Sequence, residues 1–212
     1  MKRVIIIGGG YSIKEGIEKG LWNKIRKEEI WSLNYSYKAM PYLPDRELFV
    51  DVAFFSNNKN ELLELANKGV ILISQKNNMY DDYPIIQYEV ARDDFDLVNG
   101  GIFKGSLGLT GTFALSLAVR EFYDVIYLLG YDFGTPNLSN RKTHFYQEDI
   151  SVVSDGVGKP EIYLQDNNKP KKHIGDYKVF LNSYSKIYNV SLISNIPYFE
   201  KISYDEFFKL IK

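Results

Sequence analysis

A chain of 212 residues exceeds the commonest domain size yet stays within the range of one α/β domain. Its formal net charge of -1, from 26 Lys+Arg against 27 Asp+Glu, gives no overall field for nucleic acid or an anionic membrane. Cysteine is absent, which excludes disulfides, thiolate metal sites and a cysteine nucleophile together.

The start, Met1-Lys2-Arg3-Val4, is basic, but only four apolar residues precede Gly8, too few for a signal-peptide core. No apolar stretch approaches the roughly 18 residues needed to cross a bilayer, so the expectation is a cytoplasmic protein. Val4 to Ile7 is a continuous β-branched run, the pattern of a strand covered on both faces, and it ends at Gly8-Gly9-Gly10. Ser12, three residues before Glu15, has capping-box spacing and predicts a helix from about Ile13. Further strands are expected at Ile30 to Leu33 and at Leu48 to Ala53. A turn at Ser56-Asn57-Asn58 should then lead into a helix through residues 61–66, which Gly69 ends. Val70 to Ile73 and Ile85 to Val90 read as strands, and Asn99 to Gly108 as a glycine-bearing loop. Thr110 and Thr112 are candidate caps of a helix through Val119, followed by the strand Val125 to Leu129 and the turn Gly130-Tyr131-Asp132-Phe133. Residues 134–170 are polar and irregular, a length typical of a binding loop or lid, or of simple disorder. A helix near Asp176 to Tyr188, a strand Val190 to Ile193 and a last helix opened by Ser203-Tyr204-Asp205-Glu206 complete the chain. No linker interrupts residues 1–212, so the alternation predicts one α/β domain of Rossmann-like kind, a mainly parallel sheet with right-handed crossovers.

In such sheets ligands bind beyond the carboxyl ends of the strands, which directs attention to Gly8, Gly9, Gly10, Ser12, Asn34, Ser74, Gly130 and Asp132. Glycines let the backbone approach a phosphate closely, and a helix N-terminus presents free N–H groups to it. Ile13 stands where a G-x-G-x-x-G pattern needs its third glycine, and no Gly-Lys-Ser/Thr follows. The alternative is a tight strand-to-helix turn with no ligand. Gly105 to Gly111 is a second small-residue loop entering a helix, in which Ser106, Thr110 and Gly111 can meet a phosphate or base; close helix–sheet packing is the other reading. Both histidines, His144 and His173, fall in or beside the long loop and carry proton-transfer chemistry near neutrality. Arg141, Lys142 and Thr143-His144-Phe145-Tyr146 can clamp a diphosphate, or form a solvated loop. No spacing resembles a metal-binding set or a nucleophile elbow.

These residues resemble the bacterial sialyltransferase family of the lipooligosaccharide type. They also resemble the wider group of domains of unknown function that includes 6-hydroxymethylpterin diphosphokinases and flagellin-modifying accessory factors. The resemblance rests on Ile5 to Ile13, on Leu33-Asn34, on the block from Thr110-Gly111 to Gly130-Tyr131-Asp132-Phe133, and on Ile174-Gly175. It implies a metal-independent fold that binds a cytidine nucleotide through these loops. Gly9 stands where the family has a nucleotide-binding Asn, Leu107 where it has Arg, and Asp176 where it has its base histidine, with His173 three residues earlier.

The leading expectation is therefore a transferase using a nucleotide-activated sugar, with a CMP-type donor and no required cofactor. In it the glycine loops and Asn34 hold the nucleotide, His144 and Tyr146 meet the departing phosphate, and His173 or Asp176 deprotonates an acceptor whose identity is open. A diphosphokinase needing magnesium on carboxylates such as Asp132 is the alternative. A non-catalytic nucleotide-binding protein is a third, and a homo-oligomer is compatible with all three.

Overall fold

Uninterrupted β-branched runs can be buried on both faces at once, and this chain pairs them into one sheet with helices above and below. The computed structural model describes residues 1–91, 102–103, 109–133, 144–148 and 174–212. Strand β1 (Arg3–Ile7) leads through helices α1 (Ile13–Glu18) and α2 (Leu21–Ile25) to β2 (Ile30–Leu33), which runs into a 3-10 turn at Asn34–Ala39. Then come β3 (Arg46–Phe49), helix α3 (Val52–Asn67), β4 (Ile71–Gln75) and β5 (Ile85–Tyr88). Two short strands, β6 (Val90–Ala91) and β7 (Ile102–Phe103), pair with each other before helix α4 (Thr110–Arg120) and β8 (Val125–Leu129). A 3-10 turn at Phe145–Glu148 and another at Asp176–Asn182 precede β9 (Lys186–Asn189), β10 (Glu200–Lys201) and helix α5 (Tyr204–Leu210).

Among the described residues the main sheet has eight strands in the order β10-β9-β8-β1-β2-β3-β4-β5, and every pairing is parallel. This is the Rossmann-like α/β architecture expected. The order reverses between β1 and β8, so right-handed crossovers leaving the two halves lie on opposite faces. Accordingly Ile5 and Ile7 face a core with Ile13, Leu21, Phe54, Leu62 and Phe207, while Val4 and Ile6 face one with Phe113, Leu117, Tyr177 and Phe180. No helix of the described residues is long and apolar enough to cross a membrane.

Several boundaries differ from expectation. Helix α3 starts at Val52, because Asp51 accepts a hydrogen bond from Ala53 N (2.8 Å) and caps it there; Ser56-Asn57-Asn58 lies inside the helix. Asn58 spends its amide on Tyr35 Oη (3.2 Å) and Phe54 O (2.8 Å). Strand β3 accordingly ends at Phe49 and begins at Arg46, whose guanidinium lies over Trp31, 4.5 Å from the ring centroid. The 176–188 helix is a 3-10 turn followed by β9, and Leu192 and Ile193, expected in a strand, are 63% and 57% exposed. Within the two stretches read as loops, Ile102–Phe103 is a strand and Phe145–Glu148 a turn with Phe145 and Tyr146 buried. The stop at Gly69 (φ 95°) and the capping box of Ser203 and Glu206 are as expected.

Candidate functional site

The strand order reverses between β1 and β8, and the carboxyl edge at such a reversal is the place where parallel sheets bind ligands. Beyond Ile7 the chain keeps bonding to the end of β8: Gly8 N donates to Leu129 O (2.8 Å) and Gly10 N to Gly130 O (2.8 Å). Asp132 then takes hold of the start of α1. Its Oδ2 accepts from Ser12 N (2.7 Å), and its Oδ1 accepts from the hydroxyls of Ser12 (2.6 Å) and Ser191 (2.8 Å). The Ser12 hydroxyl, expected to cap α1, is committed to Asp132 instead and makes no cap hydrogen bond. A Cβ on Gly10 would lie 2.5 Å from Gly130 O and 2.6 Å from Asp132 Oδ2, so this contact requires glycine.

The second wall comes from β2 and α4. Asn34 adopts a left-handed conformation (φ 53°), and its side-chain amide donates to Thr110 Oγ1 (3.3 Å) across the edge of the sheet. Two residues on, Ser36 Oγ donates to Gly8 O (3.0 Å), tying the turn after β2 to the turn after β1. Tyr131 lies between the first turn and α4, its hydroxyl donating to Gly111 O (3.3 Å). Helix α4 has Leu109 at its N-cap, whose side chain makes no cap hydrogen bond; Thr112, one of the expected caps, donates to Leu109 O (3.0 Å). Thr110 lies inside the first turn. A helix start aims its first amides beyond its own end, an arrangement suited to an anion.

The turn at Phe145–Glu148 covers the glycines from the other side. Phe145 N donates to Gly9 O (3.0 Å), and the His144 ring stacks on Tyr146 at 5.2 Å between centroids. A Cβ on Gly9 would meet His144 Cδ2 at 2.2 Å. Burial in this contact pushes the His144 imidazole down to about 4, so the ring is neutral at pH 7. A proton NMR titration should therefore place the His144 midpoint near 4; a midpoint at or above the ordinary value of about 6.5 would contradict the docking of this ring on Gly9. On the outer side, Phe145 shares a cleft of about 480 Å³ with Lys14, Ile17, Glu18, Trp22, Lys38 and Ala39.

The expected residues thus divide by exposure. Gly9, Gly10, Asn34, Gly111, His144 and Asp176 are only half-buried and reach solvent, whereas Gly8, Ser12, Thr110, Gly130, Asp132 and Tyr146 are buried and build the frame. Asp176 begins the turn whose next residue, Tyr177, packs on Tyr131 and Phe133 at 6.1 and 5.3 Å. Ser106, His173, Arg141, Lys142 and Thr143 lie outside the described residues. Ser74, also singled out at a strand end, is fully buried and donates to Phe49 O (2.7 Å). Ser36, Ser191 and Glu47 escaped the sequence reading. Ser36 and Ser191 carry no local signal, because each matters only through a partner dozens of residues away, and Glu47 stands just before Leu48, where the strand was expected to begin. Among the described residues no group of three or more His, Cys, Asp or Glu side chains converges as a metal site. No family model matches the chain, and no curated protein matches it in sequence at a significant level.

Proposed function

We propose that this protein binds a nucleotide in the β1–β8 crevice and transfers the sugar of a nucleotide-activated donor of the CMP type. The observation that carries the reading is the convergence, at the reversal of a parallel sheet, of the Gly8–Ser12 turn, the start of α4 and the Asn34–Thr110 pair. In this reading Gly9 and the first amides of α4 face the phosphate, Gly10 fixes the turn through its bond to Gly130 O, and the Asn34 amide meets sugar or base. His144, being neutral, contributes hydrogen bonds rather than charge to the departing phosphate. Asp176, or His173, takes the acceptor proton.

The diphosphokinase reading draws on Asp132 as a magnesium ligand. Both oxygens of Asp132 are engaged by Ser12 and Ser191 in a 2% exposed site, which favours metal-independent transfer. The test is a melting-temperature panel of nucleoside mono- and diphosphates and nucleotide sugars, with and without chelator. A true ligand at 100 times its dissociation constant should stabilise by about 2.7 kcal/mol, or roughly 5–11 °C for a chain of this size. Failure of every nucleotide to shift the transition would remove the proposal, and a shift abolished by chelator would return it to the diphosphokinase.

A further inference from the structure

Tyr131, two residues beyond the end of β8, is 3% exposed, and its ring stands between the two glycine-bearing segments of the carboxyl edge. A Cβ on Gly8 would lie 3.3 Å from ring atoms Cδ2 and Cε2, and a Cβ on Gly111 would lie 3.1 Å from Cε1. These atoms belong to opposite edges of one ring, so the width of that ring separates the turn after β1 from the first turn of α4. Glycine at both positions brings each backbone onto the ring. The ring has little room to slide. Its hydroxyl donates to Gly111 O (3.3 Å), and Tyr177 meets it edge-on at 6.1 Å between centroids. The Tyr131 carbonyl accepts from Ser194 Oγ (2.6 Å) and Asn189 Nδ2 (3.2 Å), which fixes the backbone beneath it. Burial raises the phenol well above its ordinary range, so the hydroxyl stays protonated and donating at pH 7.

We infer that Tyr131 is a positioning residue, a rigid spacer that sets the separation between the Gly8–Ser12 turn and the start of α4 and thereby the match of their amides to a single anion. Its purpose rests on the nucleotide reading, whereas the spacing belongs to the ligand-free fold. Hydrogen bonds from N–H to oxygen span only about 2.7–3.2 Å between heavy atoms, so two backbone segments serve one phosphate only where something fixes the gap between them. An aromatic ring suits this task because it is stiff and turns on only two side-chain torsions. Buried as it is, Tyr131 acts through the two backbones and not on the ligand itself.

The experiment compares wild type, Tyr131→Phe and Tyr131→Leu by titration with CMP and with cytidine. Residue-resolved hydrogen exchange follows Gly10 N–H, which bonds Gly130 O, and Phe113 N–H, which bonds Leu109 O. Phe keeps the ring width, so CMP affinity and both exchange rates should stay within about 3-fold of wild type. Leu narrows the spacer, so CMP affinity should fall at least about 10-fold while cytidine affinity stays within about 3-fold. Both amides should then exchange at least about 10-fold faster, with the Leu72 amide of β4 unchanged. A general loss of packing weakens CMP and cytidine alike, and that outcome overturns the inference, as does a folded Leu variant with wild-type exchange at both amides. Should the Leu variant fail to fold, Gly111→Ala decides. Its methyl presses on Tyr131 Cε1, so through the ring the Gly10 amide should exchange at least about 3-fold faster, and an unchanged Gly10 amide overturns the inference. Failure of wild type to bind CMP strikes the nucleotide reading alone, because the exchange arm uses no ligand.

Discussion

Replacing Asp132 by alanine should destabilise the protein by about 3 kcal/mol, lowering the melting temperature by roughly 6–12 °C. The carboxylate is 2% exposed and accepts three hydrogen bonds, from Ser12 N, Ser12 Oγ and Ser191 Oγ. Alanine removes all three acceptor contacts at once and leaves a backbone N–H and two hydroxyls facing each other in a dry site, where each unpaired group costs about 1–3 kcal/mol. The consequence extends beyond stability, since this cluster joins the start of α1, the end of β8 and the segment after β9. Asp132→Asn should fall between the two. One amide oxygen can still accept, but the NH2 group must face either the Ser12 backbone donor or the two hydroxyls. Thermal denaturation of the three proteins decides it: an alanine variant within about 2 °C of wild type would mean that the three hydrogen bonds contribute nothing net.

Gly10→Ala should be nearly as damaging, at about 2–4 kcal/mol, and for a different reason. The added methyl meets Gly130 O at 2.5 Å and the Asp132 carboxylate at 2.6 Å. Gly130 O is a backbone atom that accepts from Gly10 N, so it cannot withdraw without breaking the junction of β1 with β8. Gly9→Ala provides the contrast. There the methyl meets the His144 ring at 2.2 Å, a side chain on a separate turn that can be pushed away. Gly9→Ala should therefore cost less stability than Gly10→Ala and should free His144, raising its titration midpoint from about 4 toward the ordinary value of roughly 6.5. Equal melting temperatures for the two variants, with His144 unmoved, would show that neither contact is as tight as the geometry states. The sign of the linked pH effect follows. Because the folded midpoint of His144 is depressed, its contribution to stability is present above about 6.5 and is lost as pH falls toward 4.

Much of the scaffold was legible because its causes are local. Val4 to Ile7 reads as a strand covered on both faces, and all four residues are 0% exposed. Ser203 and Glu206 form their capping box within one turn, and Gly69 ends α3 through its own positive φ. Local signals failed where a distant partner outbid the near one. Ser12 has capping-box spacing to Glu15, but Asp132, 120 residues away, takes both its amide and its hydroxyl. Lys186–Asn189 looks too polar for a strand, yet it pairs beside β8 with Ile187 and Asn189 turned inward. The stretch around His144 reads as a polar loop, but Phe145 and Tyr146 are buried beneath the 34–39 turn, with Tyr146 6.0 Å from the Tyr35 ring.

What the sequence determined by itself is the alternation of strands and helices and the placing of small residues at the strand ends, since periodicity and backbone freedom act over a few residues. The tertiary structure alone decided what those small residues are for. Gly8, Gly9, Gly10 and Gly111 admit Tyr131, His144, Asp132 and Tyr177 into close contact with the backbone, which joins the strand ends to their covering turns. The reason is physical: whether an amide is free for a ligand depends on which acceptor the fold brings within 3 Å of it, and in a parallel sheet that acceptor comes from a strand far away in sequence.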